Sequence, residues 1–414
     1  MTGPFGAVYI FTYGDFYMTK VEKRIIDYLS RHVIFILIVA ATVLGLLVRW
    51  FGKDFQSGDM QCFLLPWWKQ IEPAGLDGLA TRVGNYNIPY QIITYLLTLL
   101  PIEAVHAYKL LSVVFDLVLA VTSATLVYEF TNGSKIKSAL TYSFVFLSVN
   151  VIFNSAFWGQ CDSIYVSFIL LALYTLKKGK SILPFIFLGL SLAFKLQVIF
   201  ILPFFIYYWF TTKKVSILNF LIIPAVDIIM CLPAVFLGRP FWDIVDIYFV
   251  QTDYGKQIQF NCPNFWALIC NNANTQYYYL FKAFSIFFTF AVLIAAMAVL
   301  VYKKADLSDS NNFLLTAIWS AYTCVMFLSS MHERYAYLVD ILTVVYFVVT
   351  LKHIWLPIIV NLVSLRGYAY YLFEFDVFDI RYTAIVFTAC WIATTVLFVK
   401  YVAFNGKKLE IQVP

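Results

Sequence analysis

Apolar runs recur along this chain from Val33 to Tyr401, and their length decides the solvent in which it can fold. Roughly 20 consecutive apolar residues match the hydrocarbon thickness of a bilayer, and many of the runs reach or approach that length. At 62% hydrophobic and 13% charged over 414 residues, a water-soluble protein would lack the polar groups to cover its surface. The runs are apolar on all sides, whereas a transmembrane β-barrel needs short segments of alternating polarity. The expectation is an all-α polytopic membrane protein, a bundle of about 12 transmembrane helices.

The first of these helices is placed at Val33 to Arg49 and the last at Tyr382 to Tyr401. Between them lie, among others, Ser138 to Phe153, Leu196 to Phe210, Tyr335 to Leu351 and Ile354 to Arg366. With the N-terminus inside, alternate loops carry Lys135/Lys137, Lys177/Lys178/Lys180, Lys213/Lys214 and Lys303/Lys304, so every doubled-lysine turn is cytoplasmic, as the positive-inside rule asks. Both termini then lie in the cytoplasm, with residues 1–32 a tail and residues 33–414 one membrane domain. Met1 to Lys20 lacks the order of basic, apolar and small residues of a cleavable signal. The net charge of +6 is spread over these inner loops, so it calls for anionic lipid headgroups and for no nucleic acid. Seven scattered cysteines argue against a disulfide framework or a zinc site, although Cys262 and Cys270 share an outer loop and could pair.

Against this greasy background, ionisable clusters stand out at Ser57-Gly58-Asp59-Met60, Trp158-Gly159-Gln160-Cys161-Asp162, Phe194-Lys195-Leu196-Gln197 and Met331-His332-Glu333-Arg334-Tyr335. The topology puts them all on the outer side. A charge beside hydrocarbon is costly unless it lines a hydrated cavity or finds a partner, so their gathering on one face reads as one site. Two outer segments are too long to be mere connectors: residues 50–106 and residues 237–276. In the first, Ile88 to Leu100, about 13 residues, is too short to span and suits an interfacial helix, with Trp67, Trp68, Tyr86 and Tyr90 at headgroup depth. The second holds Asp253-Tyr254-Gly255-Lys256 and Asn261-Cys262-Pro263-Asn264-Phe265-Trp266.

An outer-loop Asp ahead of interfacial aromatic helices, followed by WGQ-x-D, K-x-Q, NxPNxW and HERY on one face, resembles the GT-C superfamily of integral-membrane glycosyltransferases. The likeness runs from about Asp54 to Tyr337. Within the superfamily it most resembles the bacterial and archaeal relatives of the second GPI mannosyltransferase, with looser similarity to protein O-mannosyltransferases and lipid A aminoarabinose transferases. The resemblance implies transfer of a sugar, mannose-like, from a polyprenyl-phosphate carrier to a glycan, glycolipid or protein acceptor on the outer face. It implies no nucleotide sugar and no cofactor, and it places the catalytic Asp at Asp59.

That chemistry needs a base for the acceptor hydroxyl and cationic or dipolar groups for the phosphate. Asp59 is the expected base; the alternatives are that it caps the helix from Met60 to Gln70, or that Asp54 is the base. Lys195 and Arg334 are the phosphate candidates, with His332 beside them, since a guanidinium can grip two phosphate oxygens. Lys195 could instead snorkel to headgroups, and Arg334 could merely pair with Glu333. Trp158, Gln160 and Asp162 suit sugar contact through a flat indole face and hydrogen-bonding edges, and Tyr86, Glu333 and Asn264 are further sugar or acceptor contacts. Trp158 could instead belong to the aromatic belt and Asp162 cap the following helix. Trp266 is a weaker contact, and Lys109 and Asp116, about two turns apart on one helix face, would shape the cavity without touching substrate. One histidine without a second ligand is poor evidence for a metal; Asp59, Asp162 and Glu333 could share a divalent ion, but a metal-independent reaction is expected. The competing class is a flippase or transporter of a lipid-linked sugar, which would use the same cationic grip without a base; no internal repeat of the transporter kind is visible. A catalytically dead scaffold of a cell-envelope complex is the third.

Overall fold

The computed structural model describes residues 18–253, 255–270, 276–376 and 378–404; residues 1–17 of the expected tail and Tyr254 of the second outer segment lie outside them. The first helix runs Lys20–Phe51 and so begins inside the expected tail. Thr19 and Glu22 start it there with a capping box: the Glu22 amide donates to Thr19 Oγ1 at 3.2 Å, and the Thr19 amide donates back to the Glu22 carboxylate at 2.6 Å.

Six helices among the described residues are long and apolar enough to cross a bilayer: Lys20–Phe51, Ala104–Phe130, Ile217–Phe236, Tyr278–Tyr302, Trp355–Phe373 and Ile380–Ala403. A bent pair, Lys135–Phe146 and Val149–Trp158, meets at 48° and makes a seventh candidate. Leu183–Phe194, Leu196–Thr212 and Tyr337–Thr350 are shorter apolar helices, while Asp162–Lys177 and Ser310–Phe327 are almost wholly buried. The protein is an all-α membrane protein, and its described strands are two short stretches, Gln259–Phe260 and Met331–His332, paired in parallel.

Helices run between two ends, which separates the lysine turns from the polar clusters. Asp162–Lys177 starts at a polar cluster and ends at a lysine turn, and Leu183–Phe194 runs back. At the lysine end, Lys177 and Lys214 both donate to Ser308, at 2.7 and 3.0 Å, and Lys178 pairs with Glu129 at 2.8 Å. Several boundaries depart from the periodicity. Ser138 to Phe153 is broken by its bend; Leu196 to Phe210 opens with a 3-10 turn, Leu196–Phe200; and the helix expected to stop at Arg366 continues to Phe373. The expected interfacial helix is present as Ile88–Thr98, with Ile88, Tyr90, Thr94 and Leu97 buried on its inner side.

Trp67, Trp68, Tyr86 and Tyr90 pack on one another and on Tyr108. Trp68 and Tyr90 both lie against Tyr108, with ring centroids 5.7 and 6.5 Å apart, and Tyr86 sits edge-on between Trp67 and Tyr90. Cys262 and Cys270 are both free thiols.

Candidate active site

A cavity of about 490 Å³ opens at the end opposite the lysine turns. Its polar wall holds Asp59, Tyr86, Gln160, Lys195, Glu333 and Arg334, and an apolar wall holds Ile199, Phe200, Ile286 and Leu328. The clusters expected at one face therefore reach the same space.

Asp59 is presented by a helix that something else caps. Ser57 Oγ accepts from the Met60 amide at 3.1 Å and donates to the Trp158 carbonyl at 2.8 Å, so Ser57 is the cap and ties this turn to the Trp158 segment. Asp59 makes no capping bond and turns its carboxylate to the cavity, where it accepts from Tyr371 Oη at 2.6 Å, Trp158 Nε1 at 2.8 Å and Gln160 Nε2 at 2.7 Å. Burial works to raise its pKa, but the Arg334 charge and the Tyr371 and Trp158 hydrogen bonds outweigh it and hold the carboxyl below its ordinary value. Asp54, by contrast, is 67% exposed, pairs with His106 and Lys53, and does not line the cavity.

The two cations differ. Lys195 sits in extended backbone at the break between Leu183–Phe194 and Leu196–Phe200, and its ammonium contacts Asp162 at 2.6 Å and Gln160 Oε1 at 3.2 Å. Burial opposes its charge, yet Asp162 prevails and raises its pKa. Arg334 lies 3.8 Å from Asp59, 3.5 Å from Glu333 and 3.7 Å from Asp162, and its buried Nε has no hydrogen-bond partner. A guanidinium has five N–H groups in a planar fork, so Arg334 keeps donors for an incoming anion.

His332 and Glu333 are held by backbone. Gln259–Phe260 pairs with Met331–His332, the Glu333 amide donates to the Phe260 carbonyl at 3.1 Å, and the Phe260 ring stacks on His332 with centroids 4.4 Å apart. The second outer segment thus forms one edge with the HERY turn. Burial first, and then the Arg334 charge, bring the His332 imidazole down to about 3, so it is neutral at physiological pH. Burial lifts Glu333 to about 7 against the pull of Arg334. The Tyr86 phenol, raised to about 12 by burial, donates to Gln160 Oε1 at 2.8 Å.

Some expected contacts have other work. Trp158 is wholly buried between Tyr371, stacked at 4.0 Å, and the Arg334 guanidinium at 5.0 Å, so its indole offers no face to a sugar and instead aims N–H at Asp59. Asp162 is buried off the cavity as the counter-charge of Lys195, with Asn154 donating to it at 2.7 Å. Asn264 does not line the cavity either: it caps Phe265–Ile269 and donates to the Val325 and Leu328 carbonyls, both at 3.1 Å, while Trp266 Nε1 donates to the Phe327 carbonyl at 2.7 Å. Lys109 bonds the Gly52 and Phe55 carbonyls and so holds the approach to Asp59. Tyr371 and Phe260 were not anticipated; the spacing of Tyr368 and Tyr371, which share a helix face, is the signal that could have carried the last helix this far.

No family model matches the chain, and no curated protein matches it. Among the described residues no group of three or more His, Cys, Asp or Glu side chains is placed to hold a metal ion.

Proposed function

We propose that this protein is a GT-C-type membrane glycosyltransferase, with the shorter apolar helices completing a bundle of about 12 crossings, that moves a mannose-like hexose from a polyprenyl-phosphate carrier to a hydroxyl of a cell-envelope glycan, glycolipid or protein. The observation that carries this is the convergence of a held carboxylate, Asp59, with an under-coordinated guanidinium, Arg334, in one cavity that also has an apolar wall. The acceptor oxygen attacks the anomeric carbon while its proton passes to the Asp59 carboxylate. The anomeric carbon–oxygen bond to phosphate breaks, its electron pair leaves with the phosphate, and Arg334 and Lys195 meet the growing charge. Attack opposite the leaving phosphate inverts the anomeric centre. Because Asp59 is kept ionised, it is in its proton-accepting form at neutral pH. The prenyl chain lies along Ile199 and Ile286 toward the bilayer.

A flippase for the same lipid would need the cationic grip and no base, so Asp59→Asn separates the two. In nanodiscs with a radiolabelled polyprenyl-phosphate hexose and an acceptor extract, the variant should lose about 100-fold to 10,000-fold in transfer while still binding donor. Asp54→Asn should transfer normally. Near-normal transfer by Asp59→Asn would remove Asp59 as the base, and no transfer by wild type would remove the transferase. Orientation is tested separately: single cysteines at Lys69, Trp242 and Arg381 in a cysteine-free background should react with an impermeant thiol reagent outside intact cells, and ones at Lys135, Lys178 and Lys303 should not.

A further inference from the structure

Glu333 is a carboxylate for which the transfer step above has no use. It is 3% exposed, lines the cavity, and touches one cation, the same Arg334 Nη1 that faces Asp59. Its main chain and Cβ are held in place. Its amide is bonded to Phe260, and its Cβ lies over Gly367, where a Cβ on the glycine would come within 2.7 Å of it.

The charges around Glu333 leave little room for an anion. Asp59 and Asp162 face Arg334 from two other helices, His332 is the neighbouring neutral ring, Tyr371 and Cys262 are uncharged neighbours from the helix Trp355–Phe373 and the second outer segment, and Lys195 pairs with Asp162. Lys282 also lines the cavity, with its ammonium 2.9 Å from the Thr252 carbonyl, and is not among the charges that weigh most on Glu333. Ionised Glu333 makes the third carboxylate beside two cations, so a phosphodiester arriving at Arg334 adds negative charge to a cluster already negative. Among side chains as buried as Glu333, Asp162 and Lys195 that excess is costly, and one proton relieves it.

We propose that Glu333 takes up one proton from solvent when a phosphodiester engages Arg334, and that the resulting carboxyl O–H donates to a phosphate oxygen. This rests on reading the cavity as the donor phosphate site. The carboxylate gains the proton, no other bond changes, and the proton returns to solvent when the phosphate departs. The near-neutral value at which Glu333 titrates places the uptake in the physiological range.

The test is calorimetry of the full-length protein in nanodiscs with a short-chain polyprenyl phosphoryl hexose, whose single phosphodiester charge does not titrate near neutrality, in two buffers of different ionisation enthalpy. Wild type should take up close to one proton per ligand at pH 8 and almost none at pH 6, and donor affinity should fall toward about tenfold per pH unit above neutrality. Glu333→Gln should bind without proton uptake and with an affinity flat in pH. Binding by wild type with no uptake at pH 8 overturns the proposal and leaves the phosphate site intact, as does uptake that survives in Glu333→Gln. Absence of binding at every pH overturns the phosphate site itself and the proposal with it. Should Glu333→Gln fail to fold, the wild-type pH series decides alone.

Discussion

Arg49 and Arg334 are both buried guanidiniums that face aspartates, yet their surroundings are opposite. Arg49 holds Asp116 at 2.8 and 2.9 Å, donates to the Gly45 and Phe146 carbonyls, and lies 4.1 Å above the Phe146 ring, while Ser155 and Ser163 each donate to Asp116 at 2.5 Å. Arg334 has three carboxylates within reach, and its contacts with them run from 3.5 to 3.8 Å. The first arrangement joins the helices Lys20–Phe51 and Ala104–Phe130 to the segment carrying Trp158, and it lies off the cavity. In the second, the charges are gathered but not closed on one another. A short, closed ion pair holds helices together; a loose one opening on a cavity is where an anion can be received.

The distinction can be broken by experiment. Arg49→Met leaves Asp116 buried without its counter-charge and should cost about 3 to 5 kcal/mol of stability, read from unfolding midpoints in detergent. Arg334→Gln should lower donor affinity by about 1.5 to 3 kcal/mol, with a smaller loss of stability than Arg49→Met. Equal destabilisation by the two changes, with donor affinity untouched, would erase the difference between the arginines. Ser163→Ala removes one donor from Asp116 and should cost about 1 kcal/mol of stability with no effect on donor binding.

Tyr371→Phe sharpens the site side of the contrast. The Tyr371 hydroxyl helps keep Asp59 ionised, so its loss lets the Asp59 pKa rise, and the base protonates at a higher pH than before. The acid limb of kcat/KM for transfer should therefore move up, by less than about one pH unit. A limb that moved down, or stayed in place, would show that Asp59 is not the group whose ionisation limits transfer.

The ionisable members of the site were legible because charge is scarce in this chain and each charged residue there needs a reason. Asp59, Lys195, Glu333 and Arg334 could be read from sequence on that ground together with the topology that put them on one side. Aromatic partners could not. Tyr371 sits in an apolar helix where one more ring looks like packing, and whether the Trp158 indole offers a sugar its face or Asp59 its N–H depends on a stack with Tyr371 that spans the bundle. Nor does periodicity disclose pairs such as Arg49 with Asp116, which close between separate helices. For the fold, the lipid-facing helices showed themselves by length, whereas the 3-10 turn Leu196–Phe200 and the bend before Val149 fall beside single polar residues, Lys195 and Gln197 in one case and Ser148 and Asn150 in the other, which periodicity alone does not turn into a break.

The short strand pairing between Gln259–Phe260 and Met331–His332 bears on how such a site can diversify. The Ser330 and Glu333 amides donate to the Ile258 and Phe260 carbonyls, so the edge is fastened through main chain; Phe260 also stacks on His332 and Asn261 Oδ1 accepts from Arg366 Nη1, which leaves the Gln257 side chain as the lining position that takes no part in fastening it. If the cavity is the proposed transferase site, that part of its lining can change where it would meet an acceptor while Glu333 and Arg334 keep their register. Relatives sharing such an edge would then, on the proposed function, be expected to differ in the acceptor hydroxyl before they differ in the sugar donor.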